Sequence, residues 1–440
     1  MEYKKRNTLE WRKLDNSAKI FPISTGKKYS NVFRLSAVLK EKINPEILEK
    51  AVKIALEKYK SFKVRLKDGF FWNYLEHNTK EPMIEQENEY PCKYIDPKTN
   101  NGYLFKVTYY DKKINIDIFH TLTDGNNGSV FFREIVYSYL EMAHQEDFKE
   151  EKRRYRKAEY TMEDSYIKNY DKKVKDNHSL KKAYCLKGRK IGLGAISVIH
   201  EIIDLDMLKQ ETKKQECTVT QYLTSVLIYC IYKANFQKNN KKNAILKKPI
   251  KICVPVNLKR YFSSKTINNF FSYITVEANT KELMKNEELD FDKILNIVKE
   301  EFKEKLTEKE IQKTMSANVK LGINPFIKTI PLILKKPIVR ISYKEIRKYT
   351  TMTFSNIGRI GIIGKYQKYI EHFLMLMSPD PVEKIKCSAC SFENEIVFTF
   401  TSILNNCNIE KEFYEFLTKK GIKSSIESNG VLDVVSTKIK

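Results

Sequence analysis

The chain has no G-x-G-x-x-G, no G-x-x-x-x-G-K-[ST] and no G-x-S-x-G. Dinucleotide binding, phosphate-loop chemistry and the serine-hydrolase elbow therefore lose their usual support. No apolar run reaches the ~18–20 residues a membrane span requires. The opening residues, MEYKKRNTLEWRK, hold no apolar stretch of the kind a secretory leader uses. The expectation is a cytoplasmic protein in a reducing compartment. Cysteines at 92, 185, 217, 230, 253, 387, 390 and 407 are scattered, and Cys387-Ser-Ala-Cys390 is a lone pair with no second pair to complete a zinc site. Cys230 and Cys253 sit inside apolar runs, where a thiol acts as a small hydrophobe. His77, His144, His178, His200 and His372 show no ligand spacing with one another or with the cysteines, so no metal is expected.

What the chain does have is bulk and positive charge. With 440 residues, 42% of them apolar, 24 Phe and 26 Tyr, it is globular and long enough for two cores. The formal net charge is +25. Such charge suits an anionic partner, but no zinc pairs, RNP-like aromatics or basic recognition helix accompany it, so nucleic acid is not an expected partner. The two densest basic blocks, 151–157 (EKRRYRK) and 238–248 (KNNKKNAILKK), read as solvated connectors.

Along the first half, strand and helix patterns alternate. Phe33, Leu35, Ala37 and Leu39 alternate as a half-buried strand, and Asn44-Pro45 then supplies an N-cap and a first-turn proline to a helix through Tyr59. Strands are predicted over 103–109 and 114–119, joined by a turn at Asp111-Lys112-Lys113. Periodicity fades from about 145 to 190, which reads as a crossover. Beyond it, Thr218 and Gln221 form a capping-box signature before an almost wholly apolar helix to Tyr232. Further strands are predicted at 250–256, 271–276, 350–355, 373–377 and 396–401, with helices at 291–302 and 409–420. The expectation is an α/β (α+β) chain in two parts, residues 1–180 and 181–440, each a mixed sheet with helices. Residues 321–348, LGINPFIKTIPLILKKPIVRISYKEIRK, mix prolines, bulky aliphatics and spaced lysines. They fit a peripheral membrane contact or an acyl-channel wall, and equally a loop with short helices and snorkelling lysines.

One stretch stands out for chemistry: IDIFHTLTDGNNG, 116–128. Ile114, Ile116 and Ile118 share a strand face, and His120 is the next residue on it, so the imidazole points inward where the strand ends. A partly buried imidazole stays neutral and available as a base. Asp124 closes the turn, and Gly125 would allow backbone angles a side chain forbids. By itself the pattern also fits a core histidine followed by an ordinary turn.

HTLTDG at a strand end, opening a helix, resembles the HxxxDG motif of the chloramphenicol acetyltransferase-like superfamily. Three further stretches, in order, resemble that family's segments: KICVPVNLKRYF at 251–262, Asn269-Phe270-Phe271, and TFSNIGRIG at 353–361. The last is similar to the alcohol acetyltransferase branch. YKSFKVRL, 59–66, resembles the family's early helix and its basic tail. Two features depart from relatives: Phe119 stands where condensation domains carry a first histidine, and no DFGWG occurs.

The resemblance implies a two-subdomain fold with an active-site channel at the interface. It implies acyl-CoA as co-substrate and transfer of a short or medium acyl group to an alcohol, with His120 as general base. Asp124 would be structural and paired to an arginine, Arg260 first and Arg65 second. Ser355 and Asn356 would serve the oxyanion or acceptor. The alternatives are condensation-like or N-acyl transfer to an amine or from a carrier protein, and a non-catalytic binding member of the fold.

Overall fold

The computed structural model describes residues 11–149, 160–173, 181–192, 194–234, 248–279, 283–285 and 288–432. The basic blocks at 151–157 and 238–247, and His178, lie outside them.

Two sheets organise the chain. The first has five strands in the order Ile370–Met377, Val32–Leu39, Lys113–Phe119, Phe105–Tyr110 and Ile84–Gln86. The central hairpin turns at Asp111, whose φ of 47° an aspartate tolerates better than most side chains. Two helices cover this sheet. Pro45–Lys58 is capped by Asn44, whose side chain accepts from Glu46 and Ile47 N–H, and Gly125–Ala143 follows the histidine motif. Phe62 stacks on Phe131 at 4.1 Å between ring centres, and Phe105 meets Phe131 edge-on at 5.5 Å.

The second sheet has seven strands, in the order 271–278, 250–257, 352–359, 385–392, 395–402, 197–204 and 424–428. The helix Val219–Tyr232 carries the capping box expected of Thr218 and Gln221 and is buried over most of its length. Its Tyr229 packs with Phe291 and Phe416 of the helices Phe291–Lys305 and Asn408–Lys419. Gly421 ends the last of these with φ 73°, the left-handed turn that glycine permits.

A division at residue 180 does not separate the sheets. Ile370–Met377, from the C-terminal part, pairs antiparallel with Val32–Leu39 and completes the first sheet. Its own carbonyls are held from the other side: Thr401 Oγ1 donates to Met377 O, Ser388 Oγ to Met375 O and Cys390 Sγ to Phe373 O. One strand thus ties both sheets together.

Among the elements that the sequence pattern does not show are the strand Ile385–Phe392 and the helices of 308–347. Ile385–Phe392 reads IKCSACSF, whose small residues give little apolar alternation, yet it lies buried between two neighbours. It holds Cys387 against Met352 sulfur and Cys390 against Phe373, on opposite faces, and burial pushes both thiols up. Residues 308–347 form three helices, Glu308–Ile323, Pro325–Thr329 and Leu332–Arg347.

Candidate active site

His120 follows directly on the strand Lys113–Phe119, at the seam between the two sheets. Ile114, Ile116 and Ile118 are wholly buried, and the imidazole is half-buried one step beyond them. Its backbone N–H donates to Asn31 O at 2.9 Å. Three rings surround the imidazole: Phe21 stacked at 4.6 Å, Phe271 tilted at 5.1 Å and Phe33 edge-on at 5.4 Å.

The ring is oriented from the opposite subdomain. Nδ1 lies 3.0 Å from Asn269 Oδ1. Asn269 is itself held by Asp15, whose Oδ2 accepts from the Asn269 backbone N–H at 3.2 Å and its side-chain Nδ2 at 3.1 Å. Asp15 takes the amide's only donor group, so the amide presents its oxygen to the histidine. An oxygen at that place requires a proton on Nδ1 and leaves the Nε2 lone pair free. Burial lowers the His120 pKa, opposed by the nearby Asp124 carboxylate, and the imidazole is neutral at pH 7. Burial pushes the Asp15 carboxyl up to about 7, against the N–H donors of Ala18 and Asn269 that favour its charge.

Asp124 is the N-cap of Gly125–Ala143: Oδ1 accepts from Asn127 N at 2.9 Å. Its Oδ2 accepts from Phe270 N at 2.9 Å, across the subdomain seam. The segment Asn269-Phe270-Phe271 therefore touches the motif three times, through the Asn269 amide, the Phe270 N–H and the Phe271 ring.

The arginine partners expected for Asp124 are elsewhere. Arg65 pairs with Glu76 at 2.6 Å on the small sheet of 11–13, 73–77 and 64–68, and Arg260 is exposed. The cation at the motif is Lys259, whose Nζ donates to Asn127 Oδ1 at 2.6 Å. Its ammonium reaches Asp124 through space and through Asn127, whose Nδ2 donates to Asp124 Oδ2 at 3.3 Å. The next residue along is Arg260, and the short 3-10 turn Leu258–Arg260 decides which of the two cations faces inward.

The glycine expectation also changes. Gly125 is the first helical residue with no left-handed φ, and a Cβ there would meet Ile357 and Met375 at 3.4 Å, ordinary contact distance. Gly128 is the constrained position: a Cβ would come within 2.9 Å of Ile118 Cδ1 and 3.2 Å of Phe33 Cζ. Asn126, Asn127 and Gly128 belong to the helix rather than to an extended turn.

Ser355 and Asn356 part company on the strand Met352–Arg359. Successive residues alternate faces, so Ser355 and Ile357 share one, and Ile357 is the residue that reaches Gly125. Asn356 is on the other face, where its Nδ2 donates to Thr220 Oγ1 at 3.2 Å and its Oδ1 accepts from Gly358 N at 2.9 Å. It shapes the bulge at Gly358, φ 75°, and its amide is engaged away from the histidine.

Sequence reasoning missed Asp15, Asn31, Phe21 and Lys259. No local pattern marks the first three, since each acts through a partner distant in the chain.

Residues 194–369 match the family model described as alcohol acetyltransferase. That stretch includes Lys259, Asn269, Phe270 and Ser355, and excludes His120 and Asp124. No curated protein matches the sequence. Among solved structures, trichothecene 15-O-acetyltransferase from Fusarium sporotrichioides superposes with a TM-score of 0.60 at 9% identity, covering 92% of this chain and 94% of that one. A second F. sporotrichioides protein, solved with coenzyme A and T-2, gives 0.58 at 10% identity over 94% and 99%. A starter condensation domain of rhizomide synthetase, solved as a mutant with C8-CoA and Leu-SNAC, gives 0.58 at 9% over 93% of each chain. Identities of this order speak for the fold, which is the two-subdomain chloramphenicol-acetyltransferase-like arrangement.

Proposed function

For a chain of the chloramphenicol acetyltransferase-like superfamily with a neutral histidine at its subdomain seam, we propose acyl-CoA-dependent O-acyl transfer, with a small alcohol as acceptor. The observation that carries this reading is the chain Asp15–Asn269–His120, which assigns the ring proton to Nδ1 and leaves Nε2 as a base. In the proposed reaction, His120 Nε2 takes the proton of the acceptor hydroxyl as its oxygen attacks the thioester carbonyl. The tetrahedral oxyanion then collapses and expels the CoA thiolate, which recovers the proton from the imidazolium. Ser355, on the strand face that looks toward the motif, is the candidate donor to the oxyanion. No protein nucleophile enters, in keeping with thiols at Cys92, Cys253, Cys387 and Cys390 that burial holds protonated.

Several features support an acyl-CoA donor: the family match over 194–369, and the related folds solved with coenzyme A or C8-CoA. The net charge of +25 favours approach of a donor bearing phosphates. Phe119 in place of a first motif histidine favours an alcohol over condensation-type chemistry, although the rhizomide domain shows the same fold.

The test is release of free thiol from acetyl-CoA and longer acyl-CoAs in the presence of alcohols, amines and a carrier-bound acyl donor. Turnover with an alcohol, lost roughly 10²–10⁴-fold in His120→Ala, is the expected result. Turnover only with amines or carrier-bound donors would shift the assignment to N-acyl or condensation chemistry. Full activity in His120→Ala would end the general-base reading.

A further inference from the structure

The helix Leu332–Arg347 is amphipathic with its polarity inverted. A surface helix of a soluble domain normally turns its apolar stripe to the core and its charges to water. Here only Leu332 and Lys335 are buried. Lys335, 3% exposed, donates from Nζ to Phe71 O at 3.0 Å and lies 3.8 Å over the Trp72 ring. Further along, Arg340 Nε donates to Ile23 O at 2.9 Å, and Arg347 pairs with Asp380 and Glu383. Cations thus fasten the helix to the protein.

The aliphatic residues face outward. Ile333, Leu334, Ile338 and Ile341 recur at helical spacing and are 59–77% exposed. Phe326, on the preceding short helix that buries no residue, is 82% exposed. Phe70 joins the same surface: its carbonyl accepts from Leu332 N at 2.8 Å while its ring is 72% exposed. Isolated apolar residues on a surface are ordinary, but bulky aliphatics gathered on one helix while Lys335, Arg340 and Arg347 bond to the protein body mark an interaction face.

Charge identifies the partner. Residues 320–348 contain eight Lys or Arg and a single acid, Glu345. Lys320, Lys328 and Lys344 are exposed around the apolar residues. An apolar face rimmed by lysines fits the boundary between anionic headgroups and acyl chains. A partner copy of the same face would bring like charges together. No described helix is long and apolar enough to cross a membrane, so the segment would lie in the interface plane.

We propose that helices 325–329 and 332–347 form a peripheral docking surface for an anionic lipid bilayer, with Phe326, Ile333 and Ile338 entering the acyl boundary and Lys328 and Lys344 meeting headgroups. The proposal does not depend on the acyl-transfer reading. The surface is nonetheless connected to the candidate site. Tyr343 Oη donates to Asn31 Oδ1 at 2.7 Å, and Asn31 O accepts the His120 N–H.

The experiment is co-sedimentation of the full chain with phosphatidylcholine vesicles, with and without about a third phosphatidylserine. Binding to the anionic vesicles that weakens with salt is the expected behaviour of the wild type. The triple variant Phe326→Ser/Ile333→Ser/Ile338→Ser should bind at least tenfold more weakly, as loss of three inserted apolar side chains requires. Lys328→Gln/Lys344→Gln should weaken binding by roughly tenfold on the anionic vesicles alone. All five side chains lie at the surface, so an unchanged melting temperature verifies that both variants fold. Wild type that ignores both vesicles, or a Ser variant that binds like wild type, overturns the proposal. So does a concentration-dependent dimer in sedimentation velocity that the same Ser substitutions abolish, which would assign the face to a second copy.

Discussion

Asn269 Oδ1 lies 3.0 Å from His120 Nδ1, joining residues 149 apart in sequence and on opposite sides of the subdomain seam. The base of the candidate site is thus oriented by the half of the molecule that does not carry it. The amide does not choose its own orientation, because Asp15 occupies its nitrogen.

Asn269→Ala should lower kcat for thiol release by about 10–100-fold and leave the KM for acyl-CoA within about twofold. The ring keeps its aromatic neighbours but loses the acceptor that fixes its tautomer. The same change takes from the buried Asp15 one of its donors, the Asn269 side-chain N–H, while the backbone N–H of residue 269 stays, and should destabilise the chain by about 1–3 kcal/mol in denaturant melts. A variant with unchanged kcat would show that the amide does not position the base.

Asp15→Asn tests whether orientation passes through the amide. The new side chain can accept from Ala18 N–H only by turning its own NH2 toward Asn269 Nδ2. Two donors cannot face each other, so Asn269 should flip and present nitrogen to the histidine. The imidazole proton then moves to Nε2, as happens when a carboxylate that holds a catalytic histidine is replaced by an amide. Imidazole ¹⁵N chemical shifts should report an Nε2–H ring, with kcat lowered at least tenfold. An Nδ1–H ring in the variant would refute the relay.

The raised pKa of Asp15 also sets a sign. Its folded value of about 7 is above the ordinary 3.8, so the neutral form is the one folding favours. That contribution is complete below about 3.8 and is lost as pH rises through about 7. The stability difference, wild type minus Asp15→Asn, should therefore be larger at pH 5 than at pH 8 in urea melts. Equal differences would show that the buried carboxyl does not titrate in that window.

For His120 the sign is opposite. Burial depresses its pKa, so the base form persists below the usual histidine range near 6.5. The acid limb of kcat/KM should have its midpoint below pH ~6.5. A midpoint above that would mean the ring is charged by a partner, with Asp124 outweighing burial.

Asp124→Asn should damage folding more than chemistry alone would suggest. An asparagine can cap the helix, but its NH2 would then face the Phe270 N–H that the carboxylate now accepts. One buried donor left without a partner costs about 1–3 kcal/mol. Gly128→Ala should destabilise by a similar amount, about 1–3 kcal/mol, because Ile118 and Phe33 must give way, whereas Gly125→Ala should be within about 1 kcal/mol of wild type. Thermal melts of the two glycine variants side by side would settle which glycine the motif requires.

Much of this architecture was legible in the sequence for local reasons. Asn44-Pro45 and the Thr218–Gln221 box are signals complete within four residues, and both helices start where those signals stand. The parity of Ile114, Ile116 and Ile118 places His120 correctly because strand faces alternate whatever the surroundings. Ile385–Phe392 was not legible, because small residues fill a strand that is covered on both edges. Nor was the split between Ser355 and Asn356, which required knowing that Thr220 of a neighbouring helix takes one of them.

By itself, then, the sequence determined a strand ending in an inward histidine, a helix after it, and a chain rich enough in apolar residues for two cores. Only the tertiary structure decided which cation faces the motif, since Lys259 and Arg260 are adjacent and a single turn selects between them. It also decided that the strand at 370–377 belongs to the first sheet, and that the helix 332–347 turns its aliphatic side outward. Periodicity shows that a helix has two faces, but which one meets water depends on the neighbours. Proton placement on His120 has the same origin: it depends on Asn269 and Asp15, which only folding brings to the ring.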